Sequence, residues 1–203
     1  MDVKKNARLR ELISQPGIVV APGCHDGLTA RLVQQNGFQV CYMGGNGTMA
    51  SYLGIPDIGL GTATEMITRA RYLAEVLDIP LVCDADTGYG DVSSVVRTVR
   101  EYEAAGVSGI HFEDQVMPKK CGSMGGVQVV PVEEICAKIK AALEARRDPN
   151  FMIIARTDCF NTLGIDEAID RCKKFWDVGA DMLMPENFTK RKDVERVATE
   201  LVN

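Results

Sequence analysis

Apolar runs and amphipathic stretches alternate along most of the chain. Short runs rich in β-branched residues predict strands, which lie near residues 18–21, 38–42, 80–84, 108–113, 151–155 and 181–184. Apolar positions at helical spacing follow each run and predict helices near 27–36, 64–77, 92–105, 132–146, 165–178 and 190–202. Gly37, Gly106 and Gly179 follow three of these helices, where a left-handed residue commonly ends a helix. The pattern predicts six strand–helix units.

Repeated βα units predict an α/β fold with a parallel sheet, either a closed (β/α)8 barrel of the TIM type or a doubly wound sheet. The segment after the first predicted strand, residues 21–26, lacks the glycine spacing with which a doubly wound fold cradles a pyrophosphate. We therefore favour the barrel. A complete barrel has eight units and typically about 250 residues. We expect residues 1–203 to form a single barrel domain that lacks the last two units.

Composition and charge narrow the function classes. With 203 residues, 46% of them apolar, the chain can bury a large core. The net charge of −5 and the mixing of basic with acidic residues argue against nucleic acid as a partner. Seven cysteines without metal-type pairing favour a reducing compartment, and we expect the cytoplasm. No apolar run approaches the roughly 18 residues of a membrane span.

Acidic residues lie at the carboxyl ends of two predicted strands. Asp84 and Asp86 are two residues apart, so an extended chain would point both carboxylates to one side, and Glu113 ends the next strand. Three converging carboxylates suit Mg²⁺, with Mn²⁺ as a further candidate, and Asp57 could add a fourth oxygen through water. Such acids can instead cap helices or pair with arginine. Their clustering on neighbouring strands favours the metal site.

A polar loop from Pro118 to Gly126, here named the cysteine loop, follows the strand that ends at Glu113. Its glycines would allow it to close over a site at the strand ends. Lys119 could hold a substrate carboxylate, and a nearby cation would favour acid–base chemistry at Cys121. The alternative is a flexible loop with an idle thiol. Its position after a metal-binding strand favours a lid.

Six segments together resemble the isocitrate lyase/phosphoenolpyruvate mutase superfamily. They occur in the order typical of that superfamily and cover nearly the whole chain. The segments are Tyr42-Met43-Gly44-Gly45, Gly54-Ile55-Pro56-Asp57-Ile58-Gly59-Leu60, Asp84-Ala85-Asp86-Thr87-Gly88-Tyr89-Gly90, His111-Phe112-Glu113-Asp114-Gln115, Lys119-Lys120-Cys121-Gly122 and Ala155-Arg156-Thr157-Asp158. The Lys-Lys-Cys-Gly segment is similar to that of the superfamily's lyases and hydrolases, typified by the methylisocitrate lyases, and carboxyphosphonoenolpyruvate mutases share its Cys-Gly form.

The resemblance implies Mg²⁺-dependent cleavage of a carbon–carbon bond in a small 2-hydroxy- or 2-oxo-di- or tricarboxylate, through an enolate, by a homotetramer. The implied metal positions are Asp84, Asp86, Glu113 and, in the outer shell, Asp57. The implied catalytic residues are Cys121, which would protonate the enolate, Lys119 and Glu113. The implied substrate-binding residues are Tyr42, Gly44, Gly45, Gly122, Arg156 and Glu186. The resemblance also implies seventh and eighth strands and a C-terminal helix, which we expect this chain to lack.

The chain departs from the lyases that it resembles at three positions. Ser123 replaces a histidine in the loop, Val127 lies where a lysine is common, and Met43 lies where a serine is common. Each change removes a hydrogen bond, which makes a shifted substrate plausible. A phosphonate mutase and a barrel that binds ligand without catalysis remain as alternatives. The retained acids and Cys121 favour an enzyme.

Overall fold

The computed structural model describes residues 2–201, in which six strands and eight helices alternate; what was predicted for Met1, Val202 and Asn203 lies outside the described residues. The strands are β1 (Gly23–Cys24), β2 (Cys41–Met43), β3 (Leu81–Asp84), β4 (Gly109–Glu113), β5 (Met152–Thr157) and β6 (Met182–Pro185). The helices are α1 (Val3–Ser14), α2 (Gly27–Gln35), α3 (Gly45–Tyr52), α4 (Ala63–Val76), α5 (Val92–Ala104), α6 (Val132–Ala145), α7 (Phe160–Asp177) and α8 (Arg191–Leu201).

The six strands pair in chain order from β1 to β6, and every pairing is parallel. A doubly wound sheet reverses its strand order at a switch point, and the sheet formed by residues 2–201 has no reversal. The α/β prediction is confirmed, and the strand order is that of a TIM-type barrel. Gly37, Gly106 and Gly179 have positive φ angles of 82°, 86° and 100°, as their predicted place after a helix requires.

Three element boundaries differ from the prediction. The predicted strand at 18–21 is wrong, because these residues lie outside the sheet, Ile18 is 91% exposed, and only Gly23 and Cys24 pair with β2. Helix α3 was not predicted, since its glycine-rich start carries no helical pattern of apolar residues. Helix α7 begins earlier than predicted, and Gly164, with φ 88°, interrupts its helical backbone.

Two apolar cores lie on opposite faces of the sheet. The larger core fills the space between the strands and the surrounding helices, and Tyr102, Phe112 and Phe175 are fully buried in it. On the inner face, the α1 side chains Leu9 and Leu12 pack against strand residues. Those strand residues include Val82, Met152 and Ile154. Because side chains alternate along a strand, β2, β3, β5 and β6 each contribute to both cores.

Helix α1 is fixed to the rest of the fold by polar contacts. Asn6 Nδ2 donates to Asp148 Oδ2 at 2.9 Å, and Arg10 Nη2 donates to Asp181 Oδ1 at 2.8 Å. Arg10 and Asn6 therefore anchor this helix to the rest of the fold. None of the helices within residues 2–201 combines the length and apolar character needed to span a bilayer.

Candidate active site at the carboxyl ends of the strands

The ends of β3, β4 and β5 bring the predicted acids next to Arg156. In the register of the sheet, Asp84 pairs with His111, and Glu113 pairs with Arg156. All four residues are at most 7% exposed. A buried charged group needs a partner of opposite charge or a metal, so this cluster calls for a close account of its contacts.

Three side chains form a group that could hold a metal ion. Asp84, His111 and Glu113 each offer one ligand atom, and these atoms lie within 4.8 Å of one another. Glu113 Oε2 and His111 Nδ1 are buried without a hydrogen-bond partner among the described residues. The other ring nitrogen of His111, Nε2, lies 2.8 Å from the Tyr42 hydroxyl, which fixes the ring. Two carboxylates and one imidazole are a donor set that fits a divalent cation.

The electrostatics of the group agree with a cation site. Burial and the charge of Asp84 raise the pKa of Glu113 well above its ordinary value. Burial lowers the pKa of His111 to about 4. Burial also opposes ionisation of Asp84, but the charges of His111, Lys119 and Arg156 lower its pKa to about 2. Since His111 is neutral near pH 7, Lys119 and Arg156 hold Asp84 ionised there, and a divalent cation would supply further positive charge.

Asp86 lies in the site but outside the group formed by Asp84, His111 and Glu113. The expectation of an extended chain through Asp86 is wrong: Asp84 Oδ1 accepts from the Asp86 backbone N–H at 2.9 Å, and Asp86 has a left-handed φ of 49°. A hydrogen bond that an aspartate carboxylate accepts from the backbone N–H two residues further on stabilises such a turn. The Asp86 carboxylate is directed to Lys119, and its Oδ1 lies 2.5 Å from Lys119 Nζ.

Lys119 connects two of the predicted metal residues. Its Nζ lies 2.5 Å from Asp57 Oδ1 and 2.5 Å from Asp86 Oδ1, and the residue is 2% exposed. Lys119 was expected to hold a substrate carboxylate. In the structure, the two acids Asp57 and Asp86 neutralise its ammonium group instead. The contact brings Asp57 to the same site as Asp86, although the two lie in different loops.

The segment from Tyr42 to Gly45 borders the acids. Gly45 N–H donates to Asp84 Oδ2 at 3.1 Å, and a Cβ atom at Gly45 would lie 2.9 Å from that oxygen. Gly44 is the N-cap of α3, which places the start of this helix at the site. Met43 points away from Tyr42 into the core between sheet and helices, so its difference from serine does not reach the acids.

The cysteine loop lies across the site. The Cys121 backbone N–H donates to the Asp57 carbonyl at 2.8 Å, and the half-buried Cys121 thiol lies 3.2 Å from the Ser123 hydroxyl. A Cβ atom at Gly122 would lie 2.8 Å from Arg156 Nη2, so the loop backbone contacts the guanidinium directly. The loop backbone therefore contacts both the segment of Asp57 and the side chain of Arg156.

Arg156 is held between the acid cluster and Glu186. Its Nε and Nη2 donate to the two oxygens of Asp158 at 3.0 Å each. The guanidinium also lies 3.9 Å from Glu113 Oε2 and 3.8 Å from Glu186 Oε2. Burial raises the pKa of Glu186, which follows β6. The bonds to Asp158 therefore fix one edge of the guanidinium, and its positive charge lies near Glu113 and Glu186.

Several residues that organise the site are not among those predicted. Asp114 and Gln115 follow Glu113 directly. Because neighbouring side chains of an extended segment point to opposite sides, three consecutive polar residues at a strand end indicate polar contacts on both sides of the chain. Asp114 accepts from Thr157 Oγ1 at 2.6 Å. Asn187 has a left-handed φ of 72°, and its buried Nδ2 has no partner among residues 2–201. No spacing rule marks a single asparagine of this kind.

The family model described as phosphoenolpyruvate phosphomutase matches residues 9–203. The 2,3-dimethylmalate lyase of Eubacterium barkeri is 50% identical over 191 residues, which cover 94% of this chain and 66% of the relative. A structure of oxaloacetate acetylhydrolase with the inhibitor 3,3-difluorooxalacetate superposes with a TM-score of 0.94 at 37% identity, covering 98% of this chain and 69% of the other. A phosphonopyruvate hydrolase complex with oxalate and Mg²⁺ has a TM-score of 0.90 at 31% identity, with coverage of 98% and 69%.

This chain spans about two thirds of the length of the relatives that it matches. The match nevertheless includes all six strands and the whole acid cluster. The motifs, the parallel sheet and these similarities agree, and the chain belongs to the phosphoenolpyruvate phosphomutase family, within the isocitrate lyase/PEP mutase superfamily that its motifs resemble.

Proposed function

We propose that the chain carries the active site of a Mg²⁺-dependent lyase or hydrolase that breaks a carbon–carbon bond in a small 2-hydroxy- or 2-oxo-dicarboxylate or tricarboxylate. The observation that carries the proposal is the convergence of Asp84, His111 and Glu113 beneath a loop that presents Cys121. Two buried atoms of this group have no hydrogen-bond partner within residues 2–201. The dimethylmalate lyase and oxaloacetate acetylhydrolase named among the similar proteins support this class.

Asp84 and Glu113 would hold the metal, with His111 completing the group and Asp57 and Asp86 as outer oxygens. Mg²⁺ suits the carboxylates, and Mn²⁺ suits the combination of carboxylates with an imidazole. When bound, the metal would supply a Lewis acid for the oxygen on C2 of the substrate. The Mg²⁺ in the phosphonopyruvate hydrolase complex supports this assignment.

The side chains around the acids would bind and orient the substrate. Arg156 would hold a substrate carboxylate with the guanidinium N–H groups that Asp158 does not engage, while the two bonds to Asp158 fix its orientation. Tyr42, Gly44 and Gly45 would contact the other end of the substrate, and Gly122 would close against it from the loop. Glu186 would support Arg156.

For a 2-hydroxy acid, the hydroxyl proton would leave to a basic group, for which we propose Glu113, and the freed electron pair would form the new carbonyl. The carbon–carbon bond then breaks, and its electron pair remains on the departing carbon as an enolate. The Cys121 thiol would donate the proton that converts this enolate into the second product. Lys119, held by Asp57 and Asp86, would keep positive charge beside the developing anion.

A proton NMR time course tests the proposal, with 2-methylisocitrate, 2,3-dimethylmalate, oxaloacetate and phosphonopyruvate, each with and without Mg²⁺. We expect a 2-oxo acid, or the acetate that accompanies oxalate when oxaloacetate is hydrolysed, to appear only with the metal. Cys121→Ser should abolish turnover and leave Mg²⁺ binding intact, and Asp84→Ala should remove metal-dependent ligand binding. No turnover in the panel, together with Mg²⁺-independent oxalate binding by calorimetry, would support a non-catalytic binding protein instead.

A phosphonate mutase is the second candidate, favoured by the description of the family model and by the Cys121-Gly122 pair that one group of mutases shares. Phosphorus NMR on phosphonopyruvate separates it from a lyase, because a mutase moves the phosphorus from carbon to oxygen. We further propose that residues 1–203 supply six of eight barrel units and that the protein acts as a homotetramer, as the resemblance implies. The cysteine content supports the cytoplasm as its location.

A further inference from the structure

Gln115 holds the start of the cysteine loop through its side chain. The residue is 3% exposed and lies two positions after Glu113. Its Oε1 accepts from the Lys120 backbone N–H at 2.9 Å, and its Nε2 donates to the Lys120 carbonyl at 2.8 Å. One amide side chain thus satisfies both backbone groups of Lys120, as a neighbouring strand would do. Lys120 is therefore fixed immediately before Cys121.

The same amide group reaches the residue that orients Arg156. Gln115 Nε2 also donates to Asp158 Oδ2 at 2.6 Å. That carboxylate accepts both hydrogen bonds from Arg156, so Asp158 is shared between the loop and the guanidinium. Charge-assisted hydrogen bonds of this kind are stronger than bonds between neutral groups.

Asp158 is itself held from behind. Its backbone N–H donates to Asp114 Oδ1 at 3.0 Å, and Asp114 Oδ2 accepts from Arg171 Nη1 at 2.9 Å. Both Asp114 and Asp158 are fully buried. The shared carboxylate is therefore a rigid point, and a displacement of either Arg156 or the loop has to break a bond to it.

The loop beyond Lys120 has few anchors of its own. The Cys121 backbone bonds to Asp57, while residues 123–126 are exposed. We propose that Gln115 is a positioning residue that fixes the cysteine loop and Arg156 in one mutual arrangement, through Asp158. The contacts are independent of the proposed function, and only the expected effect on turnover rests on it.

Glutamine is the side chain that these contacts require. A glutamate would keep an acceptor for the Lys120 N–H, but it would place a second carboxylate against Asp158 and against the Lys120 carbonyl. Gln115→Glu should therefore release the loop. Gln115→Met removes the same bonds without adding charge, so a shared result for both variants reports the lost contacts. Gln128→Glu is the matched control, because that side chain is exposed on the segment that follows the loop.

Limited trypsin digestion measures the release, because cleavage after Lys119 or Lys120 needs a mobile backbone. We expect both Gln115 variants to be cut there about tenfold faster or more than the wild-type protein, and Gln128→Glu at the wild-type rate. Circular dichroism confirms that each variant is folded. Folded Gln115 variants that are cut at the wild-type rate would overturn the proposal.

The double variant Gln115→Glu/Asp158→Asn tests the coupling. In this variant the carboxylate is at position 115 and the amide at position 158, so the two side chains can again form a hydrogen bond. We therefore expect trypsin to cut it more slowly than Gln115→Glu alone. Strictly additive effects of the two changes would overturn the link through Asp158. The kinetic test applies if the wild-type protein is active. Gln115→Met should then lower kcat more than it raises KM. An unchanged kcat in a variant whose loop is released would overturn the positioning role. Digestion needs no substrate, so failure of the proposed function leaves these tests intact.

Discussion

The sulfur atom of Cys121 lies 3.2 Å from the hydroxyl oxygen of Ser123. The lyases that the sequence resembles usually carry a histidine at the position of Ser123. The serine therefore does not leave the thiol isolated, because its hydroxyl can donate a hydrogen bond to sulfur or accept one from it. The substitution changes the partner of the proposed acid instead of removing it.

Ser123→Ala should slow alkylation of Cys121 by iodoacetamide about threefold, because the alanine removes a donor to the reacting thiolate. Peptide mapping separates Cys121 from Cys136, the other half-buried cysteine of the described chain. Cys136 serves as the internal control and should react at an unchanged rate. Equal rates at Cys121 in the two proteins would show that the hydroxyl does not act on the thiol.

Gly45→Ala should weaken Mg²⁺-dependent oxalate binding by about tenfold or more, because the new methyl group would lie 2.9 Å from Asp84 Oδ2 and 3.2 Å from Asp57 Oδ2. Gly47→Ala is the control on the same helix, since its Cβ would meet His25 at an ordinary 3.6 Å. Calorimetry measures both. If the two variants bind alike, the acids are not tightly packed around Gly45.

Gly122→Ala should lower kcat by about tenfold, because its Cβ would lie 2.8 Å from Arg156 Nη2 and would push the cysteine loop away from the arginine. Gly125→Ala in the same loop meets nothing within 4 Å and should keep the wild-type rate. The panel of substrates described above provides the assay. A wild-type rate for Gly122→Ala would mean that turnover does not need the observed contact.

Mg²⁺ should stabilise the protein against heat, by about 2.7 kcal/mol at a concentration one hundred times Kd, since only the folded chain assembles the acids. Asp84→Asn should abolish most of this gain, whereas Asp170→Asn, at an exposed position of α7, should retain it. Thermal unfolding with and without the metal gives the comparison. An equal gain in all three proteins would place the metal elsewhere.

Glu103→Gln should lower the free energy of unfolding by about 2–3 kcal/mol, because the buried carboxylate accepts from the backbone N–H groups of Arg147 and Asp148, and an amide nitrogen would oppose one of them. Glu101→Gln on the same helix loses only a surface pair with Arg97, worth about 0.5 kcal/mol. Urea unfolding measures both variants. Equal losses would contradict the difference in burial.

The strand ends were predictable because period and polarity are local properties. The runs that became β3 to β6 were placed within a few residues, and Glu113 followed from its position at the end of a strand. Arg156 was predicted only through the resemblance to the superfamily. The turn at Asp86 was not predictable, since it depends on a hydrogen bond that the Asp86 backbone N–H donates to the Asp84 carboxylate.

Contacts between distant segments were also beyond reach from the sequence. The pairing of Lys119 with Asp57 joins two loops, and the bond from Gln115 to Asp158 joins residues that are 43 positions apart. No local pattern encodes which of several nearby acids a lysine or an amide will meet, because that depends on how the loops fold over the sheet. The identities of the site residues were therefore easier to predict than their partners.

Helix α1 has a consequence for the order of events during synthesis. Its contacts from Asn6 to Asp148 and from Arg10 to Asp181 span 142 and 171 residues of sequence. The helix is made before these partners, and translation adds only about 5–20 residues per second. Leu9 and Leu12 are therefore made several seconds before Met152 and Ile154, with which they pack, so the apolar face of α1 stays uncovered on the nascent chain during that time.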